Sequence, residues 1–346
     1  MGKKLWWLSA TAIVTLSVVL LAASAATAAP FYQGKTIRFI VGFAAGGGFD
    51  TYTRAIARHI GRHIPGNPTT IVENKVGAGS LIAANFLYKA SKPDGLTVGN
   101  FIGGLMLAQV LGRPGMEFDG RKFEWIGVPV KDSPVCALTT RSGITSADKW
   151  FAAKELVKLG GTAPGSTTDD VPRILKAAIG LPLRVIEGYG GTAKIRLAAD
   201  AGEIDGGCWA WESIKVTWRK GLDTGDVVVV LQTTPERHPD LPLVPTAIEL
   251  AKTEEARQLL QVGVHGPAAI TRPYALPPGT PKERVQILRK AFMDTLKDPE
   301  FLTEAKKAKL DIDPVTGEQV AKIVASYHEM SPALLAKLKE ILLPKK

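Results

Sequence analysis

Lys35-Thr36-Ile37-Arg38-Phe39-Ile40-Val41, followed by Phe43-Ala44-Ala45-Gly46-Gly47-Gly48-Phe49-Asp50, decides how this chain reads. The first part is an apolar, β-branched run that predicts a buried strand. Beyond it Tyr52, Ala55, Ile56, Ile60 and Ile64 recur at helical spacing, which predicts a helix starting near Asp50. Three glycines between strand and helix let the backbone turn its N–H groups toward a ligand. The helix N-terminus adds about half a positive charge at the same point. The stretch is either a backbone anion seat or a plain connecting turn. It is not a dinucleotide fingerprint, since G-x-G-x-x-G is absent, and not a P-loop, since no Gly-Lys-Ser/Thr follows.

The same unit of strand, glycine loop and helix recurs along the chain. Thr70–Glu73 reads as a second strand, and Asn74 to Ser80 as a second glycine loop opening a helix with Leu81, Ala84, Leu87 and Tyr88 on one face. Asp94-Gly95 turns into a strand from Thr97 to Phe101. Glu124 to Leu138 reads as one strand broken by prolines, and as the crossing point into a second lobe. There Thr145 with Asp148 resembles a capping box opening a helix to about Leu159. A third glycine loop, Gly160 to Thr168, carries hydroxyls and precedes a helix ended by Gly180. Strand Leu183 to Ile186 runs into Gly188-Tyr189-Gly190-Gly191-Thr192 and another helix, ended by Gly202. Strand Ile204 to Cys208 then delivers Trp209, Trp211 and Glu212. Asp226 to Leu231 reads as a buried strand returning toward the first lobe, and Thr246 to Gln261 as one helix. Thr280-Pro281-Lys282-Glu283 reads as a helix start with Thr280 as cap. The alternation predicts α/β architecture with parallel sheets, whose loops converge at the strand ends where such sheets bind ligands. A chain of 346 residues is long enough for two lobes with a cleft between them.

At the start, Lys3 and Lys4, the apolar run Leu5 to Ala23 and the small-residue site Ala26-Thr27-Ala28 predict an export signal over residues 1–28, cleaved near Ala28. The mature protein is then expected outside the cytoplasm. The formal net charge is +10, of which Lys3 and Lys4 leave with the signal. Basic residues are scattered rather than gathered in a stripe, which argues against nucleic acid and for small anions. Cys136 and Cys208 sit in apolar, strand-like runs, and either pair or remain buried thiols. No G-x-S-x-G, H-E-x-x-H or paired-cysteine metal spacing occurs, so no enzyme activity, metal or cofactor is expected. His59 and His63 have metal-ligand spacing, but no acidic residue stands at a matching position, so they read as packed or partly exposed histidines. Asp169 and Asp170 read as helix N-terminal charge rather than a catalytic pair. Trp209 and Trp211 read either as core or as an apolar wall of the cleft.

Taken in order, several motifs resemble the substrate-binding receptors of tripartite tricarboxylate transporters, the Bug-type family. They are Gly46-Gly47-Gly48-x-Asp50, Val72-x-Asn74-x-x-Gly77-Ala78-Gly79, Pro93-Asp94-Gly95, Gly161-x-x-x-Gly165-Ser166, Gly190-Gly191-Thr192, Ala201-Gly202-Glu203-Ile204-Asp205 and Pro277-Pro278-Gly279-Thr280-Pro281. The likeness covers nearly the whole mature chain. It implies a two-lobed periplasmic binding fold, type II-like, with a mostly parallel sheet in each lobe and a ligand cleft between them. Lobe 1 would take residues 31–130 and 235–346 and lobe 2 residues 131–234, closing on a carboxylate like a flytrap. The resemblance places Phe43, Ala44, Gly46, Gly47, Phe49 and Asp50, with Ala78 and Gly79, on the first-lobe side of the ligand. Thr162, Ser166, Thr167, Gly191 and Thr192 complete the grip, with Trp209 as cleft wall. The implied ligand is a small di- or tricarboxylate or aromatic acid, delivered by a monomeric receptor to membrane permease subunits. The alternative is a periplasmic sensor docking on a histidine-kinase ectodomain. Two departures stand out: Ala44-Ala45 replaces the Pro-Pro of many relatives, and the tryptophans at 209 and 211 are absent from them.

Overall fold

The computed structural model describes residues 30–343, so the export signal expected over 1–28 lies outside the described residues. In chain order, one sheet takes β1 (Thr36–Val41), β2 (Thr69–Asn74), β3 (Thr97–Asn100) and β4 (Glu124–Val128). A second takes β5 (Pro134–Thr139), β6 (Val157–Gly160), β7 (Leu183–Ile186), β8 (Gly206–Ala210) and β9 (Val227–Gln232). The chain then returns to the first sheet with β10 (Tyr274–Leu276) and β11 (Val315–Thr316).

The first sheet has the order β11-β4-β10-β3-β1-β2. β1 is parallel to both β2 and β3, while β10 lies antiparallel between β3 and β4. β1 to β4 therefore share one direction. The second sheet has the order β7-β6-β8-β5-β9, with β6, β7 and β8 parallel and β5 reversed between β8 and β9. Each sheet is mostly parallel, as expected for the two-lobed binding fold. Helices α1 (Gly48–Ile60) and α2 (Leu81–Lys89) follow β1 and β2, and α3 (Gly104–Val110) follows β3. After the crossing come the short α4 (Ala147–Phe151), α5 (Thr167–Ile179), α6 (Thr192–Ala201) and α7 (Trp211–Thr217). Burial of Tyr52, Ala55, Ile56 and Ile60 along one stripe of α1 is what holds that helix on its sheet.

Several local expectations fail for identifiable reasons. Glu124 to Leu138 is two strands in different sheets, with the crossing made by the residues between Val128 and Pro134. The helix read to Leu159 stops at Phe151 and is capped by Ser146, not Thr145. Val157–Gly160 is instead β6, because its parallel pairing with β7 overrides a weak helical pattern. The helix read over Thr246 to Gln261 breaks into Ala247–Leu250, under a Thr246/Glu249 capping box, and Glu254–Leu260, capped by Thr253. Thr280 does not cap: its hydroxyl donates to the Pro277 carbonyl at 2.8 Å, and the helix runs from Lys282 to Thr295. β9 is the edge of the second sheet, within the residues read as lobe 2. His59 and His63 do meet acidic partners, Glu304 and Asp298, each at 2.7 Å, supplied from far along the chain.

Cys136 and Cys208 stand opposite one another on β5 and β8 and form a disulfide, which closes the question left open by the sequence. The returning segment also covers the second sheet. Helices Glu254–Leu260 and Pro332–Leu342 pack on α5, and Gly263 lets Ile174 and Leu338 close in beneath it.

Candidate functional site

The first glycine loop is shaped by Asp50, which is 3% exposed. Its carboxylate accepts from the Gly46 N–H at 3.0 Å, from Arg54 Nε at 3.0 Å and from Asn74 Nδ2 at 2.9 Å. Burial works to raise its pKa, but the bonds from Arg54, Gly46 and Asn74 hold it below the usual carboxylate range. Asp50 and Gly46 thus fold the loop over the start of α1 instead of facing the cleft. In the second loop Ala78, Gly79 and Ser80 are all left-handed, and Ser80 Oγ accepts from the Ile102 N–H at 2.9 Å. A Cβ at Gly79 would lie 3.0 Å from that of Ala163, so this loop abuts the third one. Gly191 backs onto Ala44, whose N–H donates to the Gly190 carbonyl at 3.2 Å.

Between these loops lies a cavity. Phe43, Ala44, Gly47 and Phe49 line it from the first loop, Thr162, Ser166 and Thr167 from the third, with Thr192 and Trp209. Gly46, Asp50, Ala78, Gly79 and Gly191 do not line it; their contacts place the loops around it. The free space is about 40 Å³, roughly three water-sized spheres.

The hydroxyls of Thr162, Ser166 and Thr168 are engaged with one another. Thr162 Oγ1 donates to Ser166 Oγ at 2.7 Å, and the Thr162 N–H donates to Thr168 Oγ1 at 3.0 Å. Ser166 Oγ in turn lies 2.9 Å from Asp169 Oδ2. Asp169 and Asp170 do occupy the first turn of α5, but both are buried. Burial pushes Asp169 up to about 6, against the bond from Ser166. Burial likewise pushes Asp170 up to about 7, against the bond from the Gly165 N–H.

The two tryptophans part company. Trp209 is 3% exposed, lines the cavity and stacks on Trp218 with ring centroids 5.5 Å apart. Trp211 opens α7, donates from Nε1 to Asp240 at 2.9 Å and faces a separate groove.

The sequence reading missed the charged floor of the cavity. Gly48, Ile102, Asp132, Thr168, Ala210, Ser213, Thr271 and Arg272 also line it. Arg272 is 1% exposed, with Nη1 2.5 Å from Asp132 Oδ1. Its guanidinium lies over Tyr52, 4.8 Å from the ring centroid, and 5.7 Å from that of Phe49. Burial pushes Asp132 up to about 7; Arg272 opposes this and Glu212 adds to it. A Cβ at Gly48 would lie 2.5 Å from Ser213 Oγ and 3.4 Å from Arg272 Nη2, so this glycine lets the N-terminus of α1 settle against both. The available signal was a single cation inside the apolar run Ala268 to Leu276.

Among the described residues no group of His, Cys, Asp and Glu is placed to hold a metal ion, and no helix is long and apolar enough to cross a membrane.

Known proteins share this fold. A Cupriavidus necator protein called UPF0065 protein in gbd 5′ region is 26% identical over 347 residues, covering 94% of each chain. The periplasmic binding protein BugD superposes with a TM-score of 0.72 at 22% identity, over 91% of this chain and 100% of its own. MatC from Rhodopseudomonas palustris, solved with bound malate, gives 0.69 at 18% identity, over 89% of this chain and 99% of its own. Residues 53–339 match the family model described as tripartite tricarboxylate transporter family receptor. With its two mostly parallel sheets and the glycine loops meeting at their ends, the chain belongs to that receptor family.

Proposed function

We propose that the chain is an extracytoplasmic solute receptor that binds a small organic carboxylate between its two sheets and delivers it to a tripartite tricarboxylate-type membrane transporter. The observation that carries this reading is the cavity itself, walled on one side by the glycine loop at the N-terminus of α1 and on the other by loops of the second sheet. Such a site suits a small anion, and the malate held by MatC is one. In this reading, residues 31–130 and 235–346 form one lobe and residues 131–234 the other, with the helices Glu254–Leu260 and Pro332–Leu342 of the first reaching over to the second. Residues 1–28 direct export to the periplasm and are removed. The ligand is bound and released unchanged, so no catalytic group is required.

The test is a thermal-shift screen of the mature protein against a panel of organic acids. A ligand at about 100 times its dissociation constant adds about 2.7 kcal/mol of stability. Failure of every di-, tri- and aromatic carboxylate to raise the melting temperature overturns the reading.

A further inference from the structure

The polar side chains around the cavity fall into two sets. In the third loop Thr162, Ser166, Thr168 and Asp169 Oδ2 are bonded to one another, and only Asp169 Oδ1, an acceptor, is left without a partner. On the opposite side, Trp209 Nε1, Ser213 Oγ and Arg272 Nε and Nη1 are buried and find no directed hydrogen-bond partner among the described residues. Arg272 Nη1 sits close to Asp132, but off the line a hydrogen bond requires. These three side chains are 3%, 2% and 1% exposed, and all three line the cavity. A buried donor without an acceptor is unfavourable. Here several of them converge on one cavity.

The electrostatics point the same way. Arg272 lies against Gly48, in the first turn of a thirteen-residue helix whose N-terminus carries positive partial charge. A guanidinium beside a helix N-terminus is repelled unless an anion serves both. Asp132 faces the arginine at Nη1, and its Oδ1 likewise has no directed hydrogen-bond partner among the described residues.

We propose that Arg272, Ser213 and Trp209, together with the N-terminus of α1, form the seat for the ligand's carboxylate, with the apolar remainder of the ligand lying against Phe43, Phe49 and Ile102. This assignment rests on the receptor reading and adds a side-chain fork to the backbone anion seat of the first glycine loop. A guanidinium suits a carboxylate because its planar donors match two oxygens at once. The ligand class is thus a carboxylate on an aliphatic or aromatic skeleton, rather than a hydroxyl-rich acid.

Calorimetry on the mature protein tests it, with adipate, benzoate and citrate as probes and adipamide and benzamide as neutral counterparts. Adipate or benzoate is expected to bind more tightly than citrate, and its amide at least tenfold more weakly. Ser213→Ala removes one donor without touching the ion pair and is expected to weaken binding about tenfold to a hundredfold. Trp209→Phe is expected to act in the same direction. Since Arg272→Gln alone strands Asp132 and can fail to fold, the Arg272→Gln/Asp132→Asn pair keeps the floor neutral. It is expected to melt near wild type and to lose binding. If Arg272 only anchors Asp132, that double variant binds as wild type does. Should one probe bind while Ser213→Ala and the double variant bind it unchanged, the receptor reading stands and this seat is wrong. Should no carboxylate bind the wild-type chain, the receptor reading fails and the seat with it.

Discussion

The N–H of Ala44 donates to the carbonyl of Gly190 at 3.2 Å, so the loop after β1 of the first sheet is bonded to the loop after β7 of the second. Gly79 against Ala163, and Gly104 against the Gly165 carbonyl, repeat the pattern. Small residues let the two sets of loops meet backbone to backbone. That narrow meeting makes closure sensitive to a single side chain.

Gly79 shows this most directly, because it is left-handed at φ +62° and faces Ala163. Gly79→Val should lose about 1–2 kcal/mol of stability from the backbone alone, whether or not the sheets approach. The contact with Ala163 adds a penalty only in the closed form. Small-angle scattering should show a larger radius than wild type at saturating ligand, and calorimetry a weaker affinity. An unchanged radius would mean that this contact does not limit closure.

Adjacent glycines of the first loop should respond unequally. Gly47 has φ −89°, open to any residue, and a Cβ there would meet Thr192 Oγ1 at 3.2 Å. At Gly48 the same atom would lie 2.5 Å from Ser213 Oγ and 2.8 Å from its Cβ. Gly47→Ala should therefore fold normally and bind with a modest loss. Gly48→Ala should push α1 off Ser213 and Arg272 and cost about 1–3 kcal/mol of stability, the usual range for overpacking. Urea unfolding of the two variants compares them; equal midpoints would contradict the difference in space.

Fluorescence should separate the two tryptophans. Trp209 lines the cavity, whereas Trp211 is held by Asp240 in another groove. A ligand-dependent emission change should vanish in Trp209→Phe and survive in Trp211→Phe. Survival in both would remove Trp209 from the ligand's surroundings.

Stability should also carry a pH signature from Asp170. Burial pushes its folded-state pKa up to about 7, against an ordinary value near 4. Between those values the folded chain keeps a proton that the unfolded chain has lost. The stabilisation is therefore complete below about pH 4 and is lost as the pH rises through 7. Asp170→Asn keeps an acceptor for the Gly165 N–H and carries no charge at any pH. It should match wild type at pH 4 and exceed it at pH 8, the gap growing by at most about 1.4 kcal/mol per pH unit. Thermal melts across that range measure it; a constant gap would contradict a titrating Asp170.

What could be read from the sequence was local. β1, the glycine loops and the helix starting near Asp50 follow from apolar spacing and turn chemistry within a dozen residues. The stretch Val157–Gly160 misled because its strand character comes from pairing with Leu183–Ile186, which no local pattern shows. Arg272 stands out as a lone cation in an apolar run, but its meeting with Asp132 at 2.5 Å is made only by the fold. His59 and His63 seemed to lack acidic partners until the helix Pro299–Lys307 and its cap brought Glu304 and Asp298 beside them. In the hydroxyl loop the bonds that join Thr162, Ser166 and Thr168 to one another and to Asp169 are made by the folded loop and leave no mark in the sequence.

The position of β10 bears on how this chain is made. The second sheet is complete once residue 232 has emerged, since its strands are consecutive. The first sheet lacks an interior strand until Tyr274–Leu276 arrives, long after its neighbours β3 and β4. Contacts this distant in sequence form slowly. The first sheet of a nascent chain therefore stays unfinished until residue 276 has emerged, well after the second sheet has all its strands.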